Sequence, residues 1–175
     1  LGIVRAHGGV LVVESQEMKG SLFRIFLPLS KETVSRPPEQ LEISPEIAAG
    51  STILLVEDEP DVRRMAATML GRIGFAVMEA PDGMAAVEAL RARPAGVVCA
   101  ICDLTMPQMD GWDTLTALRK VIPGLPVVLA SGYDQSQVMM GEHAEWPQTF
   151  IHKPYQMAKL RDAVRLALTK KEMES

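Results

Sequence analysis

Polar side chains that could do chemistry follow four separate apolar runs in this 175-residue sequence. They are Glu57 and Asp58 after one run, Asp103 after another, and then Ser131 and Lys153. Continuous apolar runs of this length are typical of strands buried in a parallel sheet, and such sheets bind ligands at the carboxyl ends of their strands. The sequence therefore predicts that three acids, a hydroxyl and an ammonium meet at one edge, a coincidence that solvated strand ends explain poorly.

Magnesium-assisted phosphoryl transfer is the chemistry that this set of residues suggests. Clustered carboxylates repel each other unless a cation joins them, and hard oxygen ligands suit Mg²⁺. A carboxylate can act as a covalent nucleophile and form an aspartyl phosphate, which makes Asp103 a candidate phosphoacceptor. Lys153 would supply a point charge for phosphate oxygens, and Ser131 a hydrogen bond to the same oxygens. The reaction would then depend on positioning and charge neutralisation.

The elements that would position these residues alternate regularly from residue 51 onward. Apolar runs predict strands at 52–56, 75–79, 97–102, 126–130 and 149–152. Helical patterns begin at Pro60 and after Asp82-Gly83, and a third covers 114–120 after a turn at Asp110-Gly111. A weaker helical pattern covers 135–143, and the last helix carries Leu160, Val164 and Leu168 on one face. Five strands alternating with five helices predict the α/β class, a doubly wound parallel sheet with helices on both faces.

Residues 1–30 differ in character from the rest of the chain. Two β-rich runs, Val10–Ser15 and Leu22–Leu27, flank a turn at Lys19-Gly20 and predict a hairpin. A hairpin by itself buries too little apolar surface to be stable in water. We therefore expect this segment to be the remnant of a larger domain, and the chain to be a piece of a longer polypeptide.

Residues 31–50 are predicted to form an interdomain linker. They combine Glu, Ser and Ala with three prolines, Pro37, Pro38 and Pro45. The regular α/β pattern then covers residues 51–170, and residues 171–175 are interpreted as a tail.

Composition and charge exclude several classes of partner. Hydrophobic residues make up 47% of the chain and the formal net charge is −4, so no basic field would attract nucleic acid or an anionic membrane. No apolar run approaches the length of a membrane span.

Cys99 and Cys102 have C-x-x-C spacing, but both lie within an apolar run and residues three apart on a strand face opposite ways. We interpret them as buried structural cysteines of a reducing, cytoplasmic setting.

Four motifs occur in a fixed order between residues 51 and 170. They are Ile53–Pro60 (ILLVEDEP), Asp103–Gly111 (DLTMPQMDG), Leu129–Tyr133 (LASGY) and Phe150–Tyr155 (FIHKPY). Together they resemble the response-regulator receiver domain, and their joint occurrence is far more specific than any one motif. The resemblance implies a flavodoxin-like fold with strand order 2-1-3-4-5.

The resemblance also assigns expected roles to the acids. Asp103 matches the phosphoacceptor, and Asp58 and Asp103 match the direct carboxylate ligands of Mg²⁺. The backbone carbonyl of Thr105 matches a third metal ligand. Glu57 matches the other acidic position, which usually acts through metal-bound water.

The remaining motif residues match positions that bind phosphate or respond to it. Ser131 matches the switch hydroxyl, and Lys153 matches the lysine that pairs with phosphate. Pro154 matches a proline that follows a cis peptide bond. Phe150 matches the aromatic switch position but lacks the hydroxyl of a tyrosine, so a switch there would work by packing alone.

The N-terminal segment resembles a different family. The stretches Gly2–Gly9, Val13–Ser15 and Lys19–Pro28 are similar to the end of a histidine-kinase ATP-binding domain. The boxes that bind ATP in that family are absent from this sequence, so it lacks a complete kinase and should not bind ATP. The resemblance implies that the parent is a hybrid sensor histidine kinase, membrane-anchored upstream, whose receiver takes phosphate from a phosphohistidine donor domain. It is also compatible with a homodimer.

Two alternative functions stay open at the level of sequence. Hydrolases of the haloacid-dehalogenase type also use an aspartate nucleophile. Their motif has a second acid two residues after that aspartate, where this chain has Thr105. A receiver-like module that binds partners without being phosphorylated is the other alternative. The complete set of acids together with Lys153 argues against it.

Overall fold

The computed structural model describes residues 4, 8–16, 19–28, 50–132 and 143–173. It divides into two compact units, residues 1–41 and 42–175. Of the predicted linker over 31–50 and the predicted weak helix over 135–143, residues 31–49 and 135–142 lie outside the described residues.

The first unit contains the predicted hairpin. Strand β1 (Val10–Gln16) pairs with strand β2 (Gly20–Phe26) in an antiparallel sheet. Leu11, Val13 and their partners Ile25 and Phe23 share one face of this sheet, because alternate residues of a strand point the same way. Both strands are largely exposed within the part of the chain that is described, as expected for a two-stranded sheet.

The second unit is a doubly wound α/β domain. Its described elements in chain order are β3 (Thr52–Val56), α1 (Pro60–Ile73), β4 (Ala76–Ala80), α2 (Gly83–Ala92), β5 (Val97–Asp103), α3 (Gly111–Val121), β6 (Val127–Ser131), β7 (Thr149–His152) and α4 (Met157–Met173). The five strands are parallel and lie in the order β4-β3-β5-β6-β7. This is the order 2-1-3-4-5 within the domain, so the predicted flavodoxin-like fold is confirmed. Helix α4 extends past residue 170, into the predicted tail.

Two apolar cores cover the two faces of the sheet. Alternate residues of β3 divide between them: Ile53 and Leu55 join the core beneath α1 and α4, while Leu54 and Val56 join the core beneath α2 and α3. All four side chains are fully buried. Burying a strand on both faces explains why its sequence is continuously apolar rather than alternating.

The C-x-x-C pair is divided in the same way. Cys99 lies in the first core and Cys102 in the second, and neither is in a disulfide. Burial raises the pKa of the Cys102 thiol, so this side chain stays protonated and apolar in character. The prediction of buried structural cysteines is confirmed.

Local sequence signals explain where the helices begin and end. Pro60 occupies the first turn of α1, and Gly74 ends the helix in the left-handed region with φ 111°, which glycine adopts without strain. The carboxylate of Asp82 caps α2 by accepting a hydrogen bond from the backbone N–H of Ala85 at 2.7 Å. The carboxylate of Asp110 caps α3 in the same way, with the backbone N–H of Asp113 at 2.9 Å.

Candidate functional site

The register of the sheet brings the predicted polar residues to one edge. Val56 of β3 is level with Cys102 of β5, so Glu57 and Asp103 are the next residues of the two chain segments. These neighbouring strands therefore deliver their acids side by side, at the carboxyl edge where ligands bind in open parallel sheets.

Three carboxylates form a cluster at this edge. One oxygen from each of Glu57, Asp58 and Asp103 lies within 4.8 Å of the others. The exposed fraction is 1% for Glu57 and 5% for Asp103, whereas Asp58 is half-buried. Two nearly water-free carboxylates this close together repel each other strongly unless positive charge lies between them.

Lys153 supplies such a charge from the end of β7. Its Nζ lies 2.5 Å from Oε2 of Glu57 and 2.9 Å from Oδ2 of Asp103. The backbone N–H of Lys153 donates to the carbonyl of Ser131 at 2.8 Å, which fixes the start of the side chain against β6. The ammonium is thus shared by two buried acids, and each contact is short enough to be a charge-assisted hydrogen bond.

The electrostatic environment of Glu57 has two opposing parts. Burial raises the pKa of its carboxyl above the ordinary value, and the nearby Asp103 charge raises it further. The hydrogen bond and the charge of Lys153 lower it, but burial is the larger effect. The three carboxylates share one ammonium, and this excess of negative charge is the condition under which a cation binds.

Tyr155 completes the surroundings of Glu57. Its hydroxyl donates to Oε2 of Glu57 at 3.4 Å, and Nζ of Lys153 lies 5.9 Å from the centre of its ring. The peptide bond between Lys153 and Pro154 is cis. Sequence reasoning quoted Tyr155 in a motif but gave it no role, although a hydroxyl so close to the lysine was an available signal.

The loop after β5 is packed tightly around Asp103. The backbone N–H of Thr105 donates to Oδ1 of Asp103 at 3.2 Å, and the N–H of Gly111 donates to the carbonyl of Leu104 at 3.0 Å. A Cβ at Gly111 would lie only 2.6 Å from the carbonyl oxygen of Asp103. Glycine at the start of α3 therefore allows the helix to approach the backbone of the acid.

Arg63 reaches the loop after β3 from α1. Its Nη1 donates to the carbonyl of Glu57 at 2.5 Å and of Asp58 at 3.3 Å, and its Nε lies 3.7 Å from Oε2 of Glu79. The guanidinium therefore fixes the backbone that carries two of the acids. Sequence reasoning missed this residue, since an arginine on an exposed helix has no distinctive local pattern.

Ser131 and Phe150 lie on neighbouring strands but at different levels, since Phe150 pairs with Leu129, two residues before Ser131. Ser131 ends β6 and is 3% exposed. Phe150 is half-buried and packs edge-on against Trp112, with ring centres 6.0 Å apart. Trp112 also stacks flat on His143 at 3.6 Å, and Trp146 meets it edge-on at 5.5 Å. The predicted aromatic position is therefore part of an aromatic cluster that sequence reasoning did not foresee.

The donor set fits a hard divalent cation. Carboxylate oxygens are the ligands that Mg²⁺ prefers, and Glu57, Asp58 and Asp103 place three of them within reach of one ion. The net negative charge of this cluster, only partly offset by Lys153, favours a cation with two charges.

No helix among the described residues is both long and apolar enough to cross a bilayer.

A family model described as the response regulator receiver domain matches residues 53–165. The chain belongs to the response regulator receiver family. Receiver domains are components of two-component signalling, and the matched residues contain the whole acidic cluster together with Lys153. The chemotaxis protein CheY of Thermotoga maritima is 28% identical to this receiver over 116 residues, covering 66% of this chain and 95% of CheY.

Another relative extends the similarity beyond the receiver. The sensor kinase CckA of Brucella abortus is 31% identical over 178 residues, covering 98% of this chain. The chain spans only 19% of the length of that relative. A crystal structure of the receiver domain from the hybrid histidine kinase CckA is 32% identical with a TM-score of 0.56, covering 67% of this chain and 99% of the other.

Proposed function

We propose that Asp103 accepts a phosphoryl group from a phosphohistidine in a two-component phosphorelay. The observation that carries this proposal is the pair of contacts made by Lys153 Nζ, 2.5 Å from Glu57 and 2.9 Å from Asp103. A cation fixed beside a buried aspartate stabilises the negative charge that gathers on a transferring phosphoryl group. Because Asp103 is only 5% exposed, its burial also keeps bulk water away from the aspartyl phosphate.

The transfer exchanges one phosphorus bond for another. A carboxylate oxygen of Asp103 attacks phosphorus, an oxygen–phosphorus bond forms, and the phosphorus–nitrogen bond to the imidazole breaks. The departing imidazole nitrogen keeps the electron pair and takes up a proton from solvent. Lys153 then pairs with the phosphoryl oxygens, and the Thr105 N–H, 3.2 Å from Oδ1, keeps the carboxylate oriented.

The metal proposed here is Mg²⁺, held by Asp58, Asp103 and the carbonyl of Thr105, with Glu57 in support. When bound, it would neutralise charge on the phosphoryl oxygens. The protein's own contribution is to hold the acids in one place before the donor arrives, which lowers the entropic cost of the reaction.

The wider assignment is a receiver within a hybrid sensor histidine kinase. It is supported by the CckA match over 98% of this chain, which includes the hairpin unit. In this proposal residues 1–30 are the end of a kinase ATP-binding domain, residues 31–50 a linker, and residues 51–170 the receiver. The partner is a phosphohistidine-bearing kinase or phosphotransfer domain, and the setting is cytoplasmic.

The test is direct phosphorylation of the 175-residue chain. Wild type is incubated with Mg²⁺ and acetyl phosphate, a small donor, and the intact mass is measured. We expect one phosphate adduct, none for Asp103→Asn, and a normal adduct for Asp113→Asn, an exposed acid in the first turn of α3. A folded wild type that stays unmodified, or equal modification of Asp103→Asn, contradicts the proposal.

Phosphoester turnover and Mg²⁺ calorimetry, added to the mass measurement, separate the alternatives. A hydrolase of the haloacid-dehalogenase type would turn over small phosphoesters, and it would need an acid where Thr105 stands. A module that binds partners without phosphorylation would show neither an adduct nor Mg²⁺ binding by calorimetry.

A further inference from the structure

We propose that Tyr155 is a positioning residue whose hydroxyl holds Glu57 in place when Lys153 turns to a phosphoryl group on Asp103. This inference rests on the proposed phosphoacceptor function. It assigns a role to a side chain outside the set of acids, hydroxyl and lysine described above.

In the unphosphorylated protein, the ammonium of Lys153 contacts two acids. Nζ lies 2.5 Å from Oε2 of Glu57 and 2.9 Å from Oδ2 of Asp103. An ammonium has three donors, so it satisfies both carboxylates at once. Its position is a balance between two similar attractions.

A phosphoryl group on Asp103 changes that balance. It adds strong acceptor oxygens and negative charge on the Asp103 side of the ammonium. The stronger attraction draws Nζ toward Asp103 and weakens its contact with Glu57. Glu57 is only 1% exposed, so bulk water does not readily replace the donor that it loses. Loss of a donor from a buried carboxylate is costly, and a less restrained carboxylate would be free to turn away from the metal site.

Tyr155 is placed to prevent this. Its hydroxyl lies 3.4 Å from Oε2 of Glu57, the same oxygen that Lys153 contacts. That distance is at the long limit of a hydrogen bond, so the contact is weak while Lys153 is present and can shorten when Nζ withdraws. The Tyr155 side chain is buried, and its phenol hydroxyl carries a proton that it can donate to the carboxylate.

A neutral hydroxyl suits this task better than a second cation. A further ammonium beside Glu57 would repel Mg²⁺ at the acidic cluster. The tyrosine hydroxyl orients the carboxylate without adding charge. Its contribution should therefore be seen when the phosphoryl site is occupied, and only slightly when Mg²⁺ is bound alone.

The test compares wild type with Tyr155→Phe, which removes the hydroxyl and keeps the buried ring. Beryllofluoride serves as the phosphoryl analogue, and its binding at saturating Mg²⁺ is followed by fluorescence of Trp112 and Trp146. We expect the Kd for beryllofluoride to rise about threefold to tenfold, the loss of one modest hydrogen bond. The Kd for Mg²⁺ alone should change by less than about twofold, because Lys153 still holds Glu57.

The outcomes separate this inference from the proposed function. If wild type binds neither beryllofluoride nor phosphate, the phosphoacceptor function fails and the inference fails with it. If wild type binds normally and Tyr155→Phe is unchanged, only the inference is overturned. An equal loss of affinity for Mg²⁺ alone and for beryllofluoride would mean a general structural role, which also overturns it.

A spectroscopic readout observes the hydroxyl itself. The chain has two tyrosines, so 3-fluorotyrosine labelling gives two fluorine resonances, and Tyr155→Phe assigns them. We expect the Tyr155 resonance to shift when beryllofluoride binds, as its hydrogen bond shortens. A resonance that stays in place while beryllofluoride binds would contradict the inference.

Discussion

Lys153 and Glu57 are 96 residues apart in the chain, yet Nζ of the lysine lies 2.5 Å from Oε2 of the carboxylate. The acid is almost completely buried, and the side chain of Lys153 is 19% exposed. Because the same ammonium also contacts Asp103, its removal takes from two buried acids the positive charge that they share.

Lys153→Met should destabilise the protein in the absence of Mg²⁺. We expect the free energy of unfolding to fall by about 2 kcal/mol, since one partner of a buried charge pair is lost. Added Mg²⁺ should restore part of that loss by binding the freed acids. Urea unfolding with and without Mg²⁺ measures both effects. Lys159→Met, at an exposed lysine of α4, is the control and should change the free energy of unfolding by less than about 0.5 kcal/mol.

Glu57→Gln should flatten the pH dependence of stability in the absence of Mg²⁺. Burial raises the pKa of Glu57 in the folded state, so the folded protein binds more protons than the unfolded chain above the ordinary value of 4.5. Stability contributed by this group is therefore lost as pH rises through the folded pKa.

Urea unfolding at a series of pH values checks this prediction. The slope of stability against pH, rather than its absolute value, is compared, because the substitution also changes the ion pair with Lys153. Glu88→Gln alters an exposed acid of α2 and should keep the wild-type slope. A Glu57→Gln slope equal to that of wild type would show that burial does not control this carboxyl.

Arg63→Met should weaken Mg²⁺ binding without abolishing it. The guanidinium holds the carbonyls of Glu57 and Asp58, so its loss frees the backbone that carries both acids. We expect the Kd for Mg²⁺ to rise about threefold to tenfold, the size of one ordinary hydrogen bond, because Arg63 acts on the acids through their backbone. Tryptophan fluorescence during a Mg²⁺ titration provides the measurement.

The neighbouring Arg64 offers a matched control for that experiment. Its side chain is 77% exposed, and among the described residues it pairs only with Asp61 on the same helix. Arg64→Met should therefore leave the Kd for Mg²⁺ unchanged. Equal effects of the two substitutions would indicate that general surface charge, rather than the Arg63 contacts, sets the affinity.

Gly111→Ala should destabilise the domain. The new Cβ would lie 2.6 Å from the carbonyl oxygen of Asp103 and 2.8 Å from Cα of Leu104, both backbone atoms that cannot move aside easily. We expect a loss of about 1–3 kcal/mol in the free energy of unfolding, typical of overpacking.

Gly71→Ala is the opposite case and a direct comparison. Gly71 lies within α1, and a Cβ there would meet nothing within 4 Å. Alanine in a helix is favoured over glycine, so this substitution should raise the free energy of unfolding by about 0.5–1 kcal/mol. Thermal unfolding of both variants suffices, and a destabilised Gly71→Ala would disprove the account of α1.

Sequence reasoning located the elements because each has a local signal. Continuous apolar runs identified the buried strands, and Pro60 marked the start of α1. Boundaries were less certain: α3 begins at Gly111 rather than near residue 114, because Asp110 caps it. The cap adds a turn that carries little of the apolar pattern used to find the helix.

The types of residue at the site were also available from sequence. Glu57, Asp58, Asp103, Ser131 and Lys153 each follow an apolar run, and parallel strands bring such positions to a common edge. The order of the strands followed from the family resemblance rather than from the residues alone.

By itself, the sequence determined which strands end in an acid, a hydroxyl or a lysine, because the apolar run before each of these residues is a local signal. Tertiary structure alone decided that Lys153 bridges two acids, that Tyr155 shares the Glu57 oxygen with it, and that Arg63 holds the backbone beneath. The physical reason is that these contacts depend on distances of a few ångströms between residues far apart in the chain. Such distances are fixed by the order and register of the sheet and by the packing of α1, which local patterns do not encode.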